Sequence, residues 1–81
     1  MEYLVRTPQQ LGAVLRGRRR EKRLTQAATG AKVGLRQNAV SVIEARADRS
    51  TVMRLFKLLS ALDLELSLRD KRKGKAKGQE W

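Results

Sequence analysis

The sequence contains no cysteine and no histidine. The first absence removes disulfides and thiolate metal sites. The second removes the commonest general base and metal ligand. Proline, tryptophan, tyrosine and phenylalanine each occur once. No apolar run approaches the roughly eighteen residues of a membrane span, and no signal-peptide core opens the chain. There is no nucleophile–base arrangement and no cluster of metal ligands. Lys73-Gly74-Lys75 lacks the upstream glycine spacing of a phosphate loop. Neither catalysis, a metal, a cofactor nor a small-molecule ligand is expected. Acidic residues are also few, 8 against 19 Lys and Arg, leaving a net charge of +11. Such an excess calls for a polyanionic partner, nucleic acid first and an anionic membrane second. The membrane reading lacks an amphipathic helix with an aromatic anchor on its apolar face. A chain of 81 residues makes one small domain with a limited core, so oligomerisation is expected.

The chain is organised around Leu24–Glu44, which has the pattern of two short helices joined by a tight turn. Thr25 suits an N-cap, because its hydroxyl accepts an orphan backbone N–H. The first helix is expected over about Gln26–Lys32 and the second over about Arg36–Glu44. Val33, Gly34 and Leu35 form the turn, with Gly34 free to adopt a left-handed conformation. Val40 and Ile43 face inward. Arg36, Gln37, Asn38 and Ser41 project outward near the start of the second helix. A glycine turn between short helices, with polar residues fronting the second, fits a helix-turn-helix reader of DNA.

Residues 1–6 form a lead in which Tyr3, Leu4 and Val5 suit a brief strand. Thr7-Pro8 starts a helix, with Thr as N-cap and Pro at the first helical position. Leu11, Val14 and Leu15 follow at helical spacing. Arg16, Arg18, Arg20, Lys22 and Arg23 form a basic cluster that suits either phosphate contact or a solvated helix end. Beyond a charged loop, Ser50 or Thr51 caps a further helix with Met53, Phe56, Leu59 and Leu62 along one stripe. Leu55 and Leu58 widen that stripe. Residues 64–69 then alternate apolar and polar, the period of a half-buried strand presenting Leu64, Leu66 and Leu68. A lone strand leaves its backbone groups unpaired, so the same strand of a second protomer is the economical partner. The fold expected is therefore all-α: a helix-turn-helix domain over 7–69 with one C-terminal strand pairing across a dimer. Residues 70–81 are expected to be a disordered basic tail ending in Trp81.

The pattern Leu24-Thr25-Gln26, Gly30, Gly34, Val40-Ser41 and Ile43-Glu44 resembles the lambda-repressor-like (Xre) helix-turn-helix family. The resemblance covers roughly Leu11–Leu62. Two positions depart from it: Thr29 stands where a large apolar residue is usual, and Gly30 where alanine is usual. Glycine within a helix costs about 0.5–1 kcal/mol relative to alanine, which leaves the first reader helix marginal alone. Glu44 is an anion at a helix C-terminus, where the dipole disfavours it. The resemblance implies a salt bridge to Arg19, against the alternative of an exposed glutamate.

Gln37 suits bidentate reading of adenine, with Asn38 and Ser41 beside it. Arg36 suits a base or a phosphate equally. Arg23, Thr25, Gln26, Lys32 and Arg46 are the phosphate candidates. A narrower resemblance, to HipB-type antitoxins, rests on Thr7-Pro8-Gln9-Gln10-Leu11, on residues 56–62 leading into 64–68, and on the Glu80-Trp81 end. It implies a bacterial cytoplasmic, nucleoid-associated homodimer that binds palindromic operator DNA and represses its own operon. It also implies a HipA-type Ser/Thr kinase toxin as partner, with Trp81 as a candidate contact. The alternatives are a stand-alone regulator and a basic protein that binds nucleic acid by charge alone.

Overall fold

The computed structural model describes residues 2–71. Its elements are α1 (Pro8–Glu21), α2 (Gln26–Ala31), α3 (Gln37–Ala45), a 3₁₀ turn (Ala47–Arg49) and α4 (Val52–Ala61). The described residues are thus all-helical. Three threonines start three of the helices. Thr7 Oγ1 accepts from Gln10 N–H at 3.1 Å, Thr25 Oγ1 from Ala28 N–H at 3.0 Å and Thr51 Oγ1 from Arg54 N–H at 3.1 Å. Each satisfies a donor that the helix itself leaves orphaned. Of the two caps the sequence allowed for α4, Thr51 is the one used.

The core gathers Leu15 from α1, Leu35 from the turn, Val40 and Ile43 from α3, and Leu58, Leu59 and Leu62 from the end of α4. Leu15, Val40, Ile43, Leu58 and Leu62 are wholly buried. Each such side chain contributes about 1.5–3 kcal/mol by leaving water. The sequence places Met53 and Phe56 on this stripe, and there the structure differs. Both are exposed, as is Val52. The apolar residues of α4 go nearly all the way round, and the face that turns to α2, α3 and the core is the one carrying Leu55, Leu58, Leu59 and Leu62.

Gly34 sits at φ +73° as the turn requires. Gly30 has a different reason from the one its helix propensity suggests. It is buried, and a Cβ there would overlap the backbone carbonyl oxygen of Leu35. The Gly30 carbonyl in turn accepts the N–H groups of Val33 and Leu35, at 3.0 and 2.9 Å. Alanine would favour the helix and block the turn, and the turn is the stronger demand. Thr29, also wholly buried, resolves its hydroxyl by donating to the Thr25 carbonyl at 2.8 Å. Its departure from an apolar residue therefore leaves no orphan.

Residues 64–69 have no hydrogen-bonded partner strand among the described residues. Leu64 packs against the core, whereas Leu66 and Leu68 stand exposed. The segment shares an apolar groove with residues 2–6, and Arg69 pairs with Glu2 at 3.2 Å. Tyr3, Leu4 and Val5 form no strand. The expectations for the tail from residue 72 and for Trp81 lie outside the described residues.

Candidate nucleic-acid interface

Helix α3 is fixed from behind by a buried polar cluster. Gly12 of α1 lies against the end of α3 so closely that a Cβ would overlap the Glu44 carbonyl oxygen. This approach lays Arg16 and Arg19, one and two turns on, over the Glu44 side chain. Glu44 Oε2 accepts from Arg19 Nε at 2.5 Å and Oε1 from Arg19 Nη2 at 3.1 Å. Arg19 Nη1 donates to the Leu24 carbonyl at 2.8 Å, and Arg16 Nε stands 3.5 Å from Glu44. The Glu44 side chain is 1% exposed. The alternative of an exposed glutamate is thus excluded.

Burial pushes the Glu44 carboxyl up. The hydrogen bonds from Arg19 and Gln26, with the Arg19 charge and Arg16, outweigh it and hold the group below its ordinary value. The Arg19 guanidinium is correspondingly raised by its bond to Glu44, against the opposing effect of burial. Both groups are therefore charged across the neutral range.

From this pair the network reaches the outer surface. Gln26 Nε2 donates to Glu44 Oε1 at 3.1 Å, and Gln26 Oε1 accepts from Gln37 Nε2 at 3.1 Å. Gln37, the foremost base-reading candidate, is consequently oriented by a chain that ends in a buried ion pair. Sequence reasoning names Gln26 only as a phosphate candidate. Its amide is in fact engaged on both sides, and the spacing of eleven residues between two glutamines carried no signal of it.

Arg36 holds the N-cap position of α3 without a side-chain cap bond. The first-turn N–H groups of α3 are therefore not capped by its own N-cap side chain. Arg36 and Asn38 line a cleft with Arg54 and Lys57 of α4. The latter two were missed in the sequence because α4 was considered only for its apolar stripe. Ser41 is partly buried, whereas Val42 is exposed.

The remaining phosphate candidates are dispersed. Thr25 serves as the α2 cap, and Arg23 is exposed at φ +58° in the corner after α1. Arg46 pairs loosely with Asp48 at 3.4 Å. Lys32 lies on the side of Asp63, whose carboxyl is held low by its bond to Lys22, by the Lys22 charge, and more weakly by Lys32 and Arg18. Part of the α1 basic cluster is structural. Arg18 Nε donates to the Leu62 carbonyl at 3.0 Å, and Lys22 pairs with Asp63 at 2.8 Å. These two tie the C-terminal ends of α1 and α4 together.

Among the described residues no helix is long and apolar enough to cross a membrane. No curated protein sequence gives a significant match. Solved structures do. A HipB variant in an O2 20mer complex superposes with a TM-score of 0.84 at 29% identity, covering 89% of this chain and 100% of that one. HipB in an O4 20mer complex gives 0.83 at 28% identity, covering 88% and 100%. A chain of the HipA–HipB–O2–O3 complex gives the same score, identity and coverage. The sequence profile of the Helix-turn-helix family matches residues 7–73, from the cap of α1 to beyond α4. This chain belongs to the helix-turn-helix family, with the fold of HipB.

Proposed function

We propose that this protein is a sequence-specific transcriptional repressor that reads operator DNA with α3 as a homodimer. The observation carrying the proposal is the Arg19–Glu44–Gln26–Gln37 chain, which pre-orients an exposed amide at the start of α3. Orientation fixed before binding reduces the ordering that recognition must otherwise supply. Gln37, Asn38 and Ser41 contact base edges, and Arg36 contacts a base or a phosphate. Thr25, Arg23, Lys32 and Arg46 serve the DNA backbone, and Gln26, whose side chain is engaged with Glu44 and Gln37, does so through its backbone N–H. The excess of 19 basic over 8 acidic residues supplies the sequence-independent attraction.

Base reading and phosphate contact separate in a competition experiment. Gln37→Ala should weaken binding to the preferred duplex by about 1–3 kcal/mol and barely affect random DNA. Arg23→Ala or Arg46→Ala should weaken both alike and lower the salt dependence. Equal losses on both duplexes for Gln37→Ala would leave a protein that binds by charge alone.

The likeness to HipB, one of whose solved forms is a HipA–HipB complex, supports a kinase partner. The protein acts as the antitoxin of a HipA-type Ser/Thr kinase toxin and represses the operon encoding both. Trp81 is the proposed kinase contact, since tryptophan is favoured at binding hot spots. Removing Glu80 and Trp81 should weaken kinase binding and leave operator affinity unchanged in a titration of each. A kinase that does not bind the intact chain would leave a stand-alone cytoplasmic regulator.

A further inference from the structure

An exposed valine by itself says little, because scattered apolar residues are common on protein surfaces. The position of Val42 says more. At about 100° per residue, the buried residues Val40, Ile43 and Glu44 define the inward direction of α3. Asn38, Val42 and Ala45 then fall within roughly 30–35° of the opposite, outward direction, whereas Ser41 lies about 70° away on the Gln37 side. Exposure agrees: Val42 is 41% exposed and Ser41 is partly buried. Asn38, Val42 and Ala45 form one row, and all three are exposed.

A β-branched side chain loses rotamer freedom in a helix and gains nothing there from solvent. At the centre of a groove-facing row it has a specific complement. The only apolar group on a base edge in the major groove is the thymine C5 methyl. We infer that Val42 is a specificity-determining residue that reads a thymine methyl. The contact falls roughly two base steps from the position read by Asn38, since residues one turn apart are about 6 Å apart and bases along a strand about 3.4 Å. Ala45, one turn further, keeps the row shallow. The inference rests on α3 being the base-reading helix, and it assigns the apolar part of that reading. Where Gln37 and Asn38 reject a base by leaving amides unpaired, Val42 rejects cytosine and purines by losing its methyl contact.

The test uses the full-length chain and the duplex it selects from a random pool. Each thymine in a half-site is replaced singly by deoxyuridine, which removes the C5 methyl and keeps the hydrogen-bonding edge. Wild-type affinity should fall roughly 3- to 10-fold at one position per half-site, the scale of one lost methyl burial. Val42→Ala should show a similar fall on the thymine duplex and little further loss on the deoxyuridine one. Because Val42 is exposed, the variant keeps the core, and an unchanged circular dichroism spectrum verifies it. Wild type indifferent to every deoxyuridine, or Val42→Ala as sensitive as wild type, overturns the assignment. A selection that returns no preferred sequence overturns the base-reading role of α3 and this assignment with it. A preferred sequence without methyl dependence leaves that role intact and removes only Val42.

Discussion

Glu44→Ala is expected to remove about 3–5 kcal/mol of stability, the range for breaking a buried ion pair from one side. The carboxylate is buried, and the Arg19 side chain that faces it is only 11% exposed. Alanine leaves that guanidinium with the Leu24 carbonyl and no counter-charge. Domains of this size have about 5–15 kcal/mol in total, so urea unfolding of the variant should begin well below the wild-type midpoint. Glu44→Gln should lose less, since an amide oxygen still accepts from Arg19. Replacing Arg19 and Glu44 together by apolar residues of similar volume should recover much of the loss. The pH dependence has a definite sign. The Glu44 carboxyl is held below its ordinary value in the folded chain. Its contribution is therefore fully present above the ordinary glutamate range and fades as pH falls through the lower, folded value. The gap between wild type and Glu44→Gln should narrow on acidification. A gap constant from pH 7 to pH 3 would show that Glu44 stabilises by packing alone.

The residues that speak through local physics were legible in the sequence. Thr7-Pro8 and Thr25 announce helix starts because capping needs only the next three residues, and Gly34 announces the turn because φ there is positive. The Arg19–Glu44 bridge was legible through the family resemblance, at a separation of 25 residues. What stayed hidden depends on which surfaces meet. The apolar residues of α4 span too much of its circumference for periodicity to select one face, so Met53 and Phe56 were placed inside and are outside. By propensity Gly30 is a weakness of α2, but its neighbour is the backbone of Leu35, beyond the helix. Gln26 and Gln37 looked like independent contacts, and their mutual hydrogen bond exists only once the turn brings them together. Arg18 and Lys22 looked like part of a phosphate patch, and only the return of α4 beside α1 shows them anchoring its end. Of the row proposed to read bases, the polar Asn38 stands out in the sequence and the apolar Val42 does not.

Leu66→Pro is expected to convert the proposed dimer to monomer and to lower operator affinity by roughly 100- to 10,000-fold, the loss of a linked second binding event. The motivation is a face that a monomer has little reason to keep. Leu4, Leu66 and Leu68 are 69%, 54% and 88% exposed around the groove where residues 2–6 and 64–69 run together. Val52 and Phe56 of α4 are exposed as well. The backbone of residues 64–69 has no ladder partner in the described chain, and unpaired backbone of alternating apolar and polar residues invites a second copy of itself. In the proposed dimer, a two-fold axis through that segment would pair it with its own symmetry mate and cover the leucines on both sides. It would also set two α3 helices to act together, and successive major grooves ask for a spacing of about 34–36 Å. Proline removes a backbone donor from the ladder. Residues 7–62 lie outside the strand, so the variant should retain its helical spectrum and its weak affinity for a single half-site. Sedimentation equilibrium reads the first effect and binding to full and half operators the second. A wild-type chain that sediments as a monomer at micromolar concentration would sink the dimer. A variant that stays dimeric and binds the full operator as tightly as wild type would move the interface from the strand to the exposed face of α4.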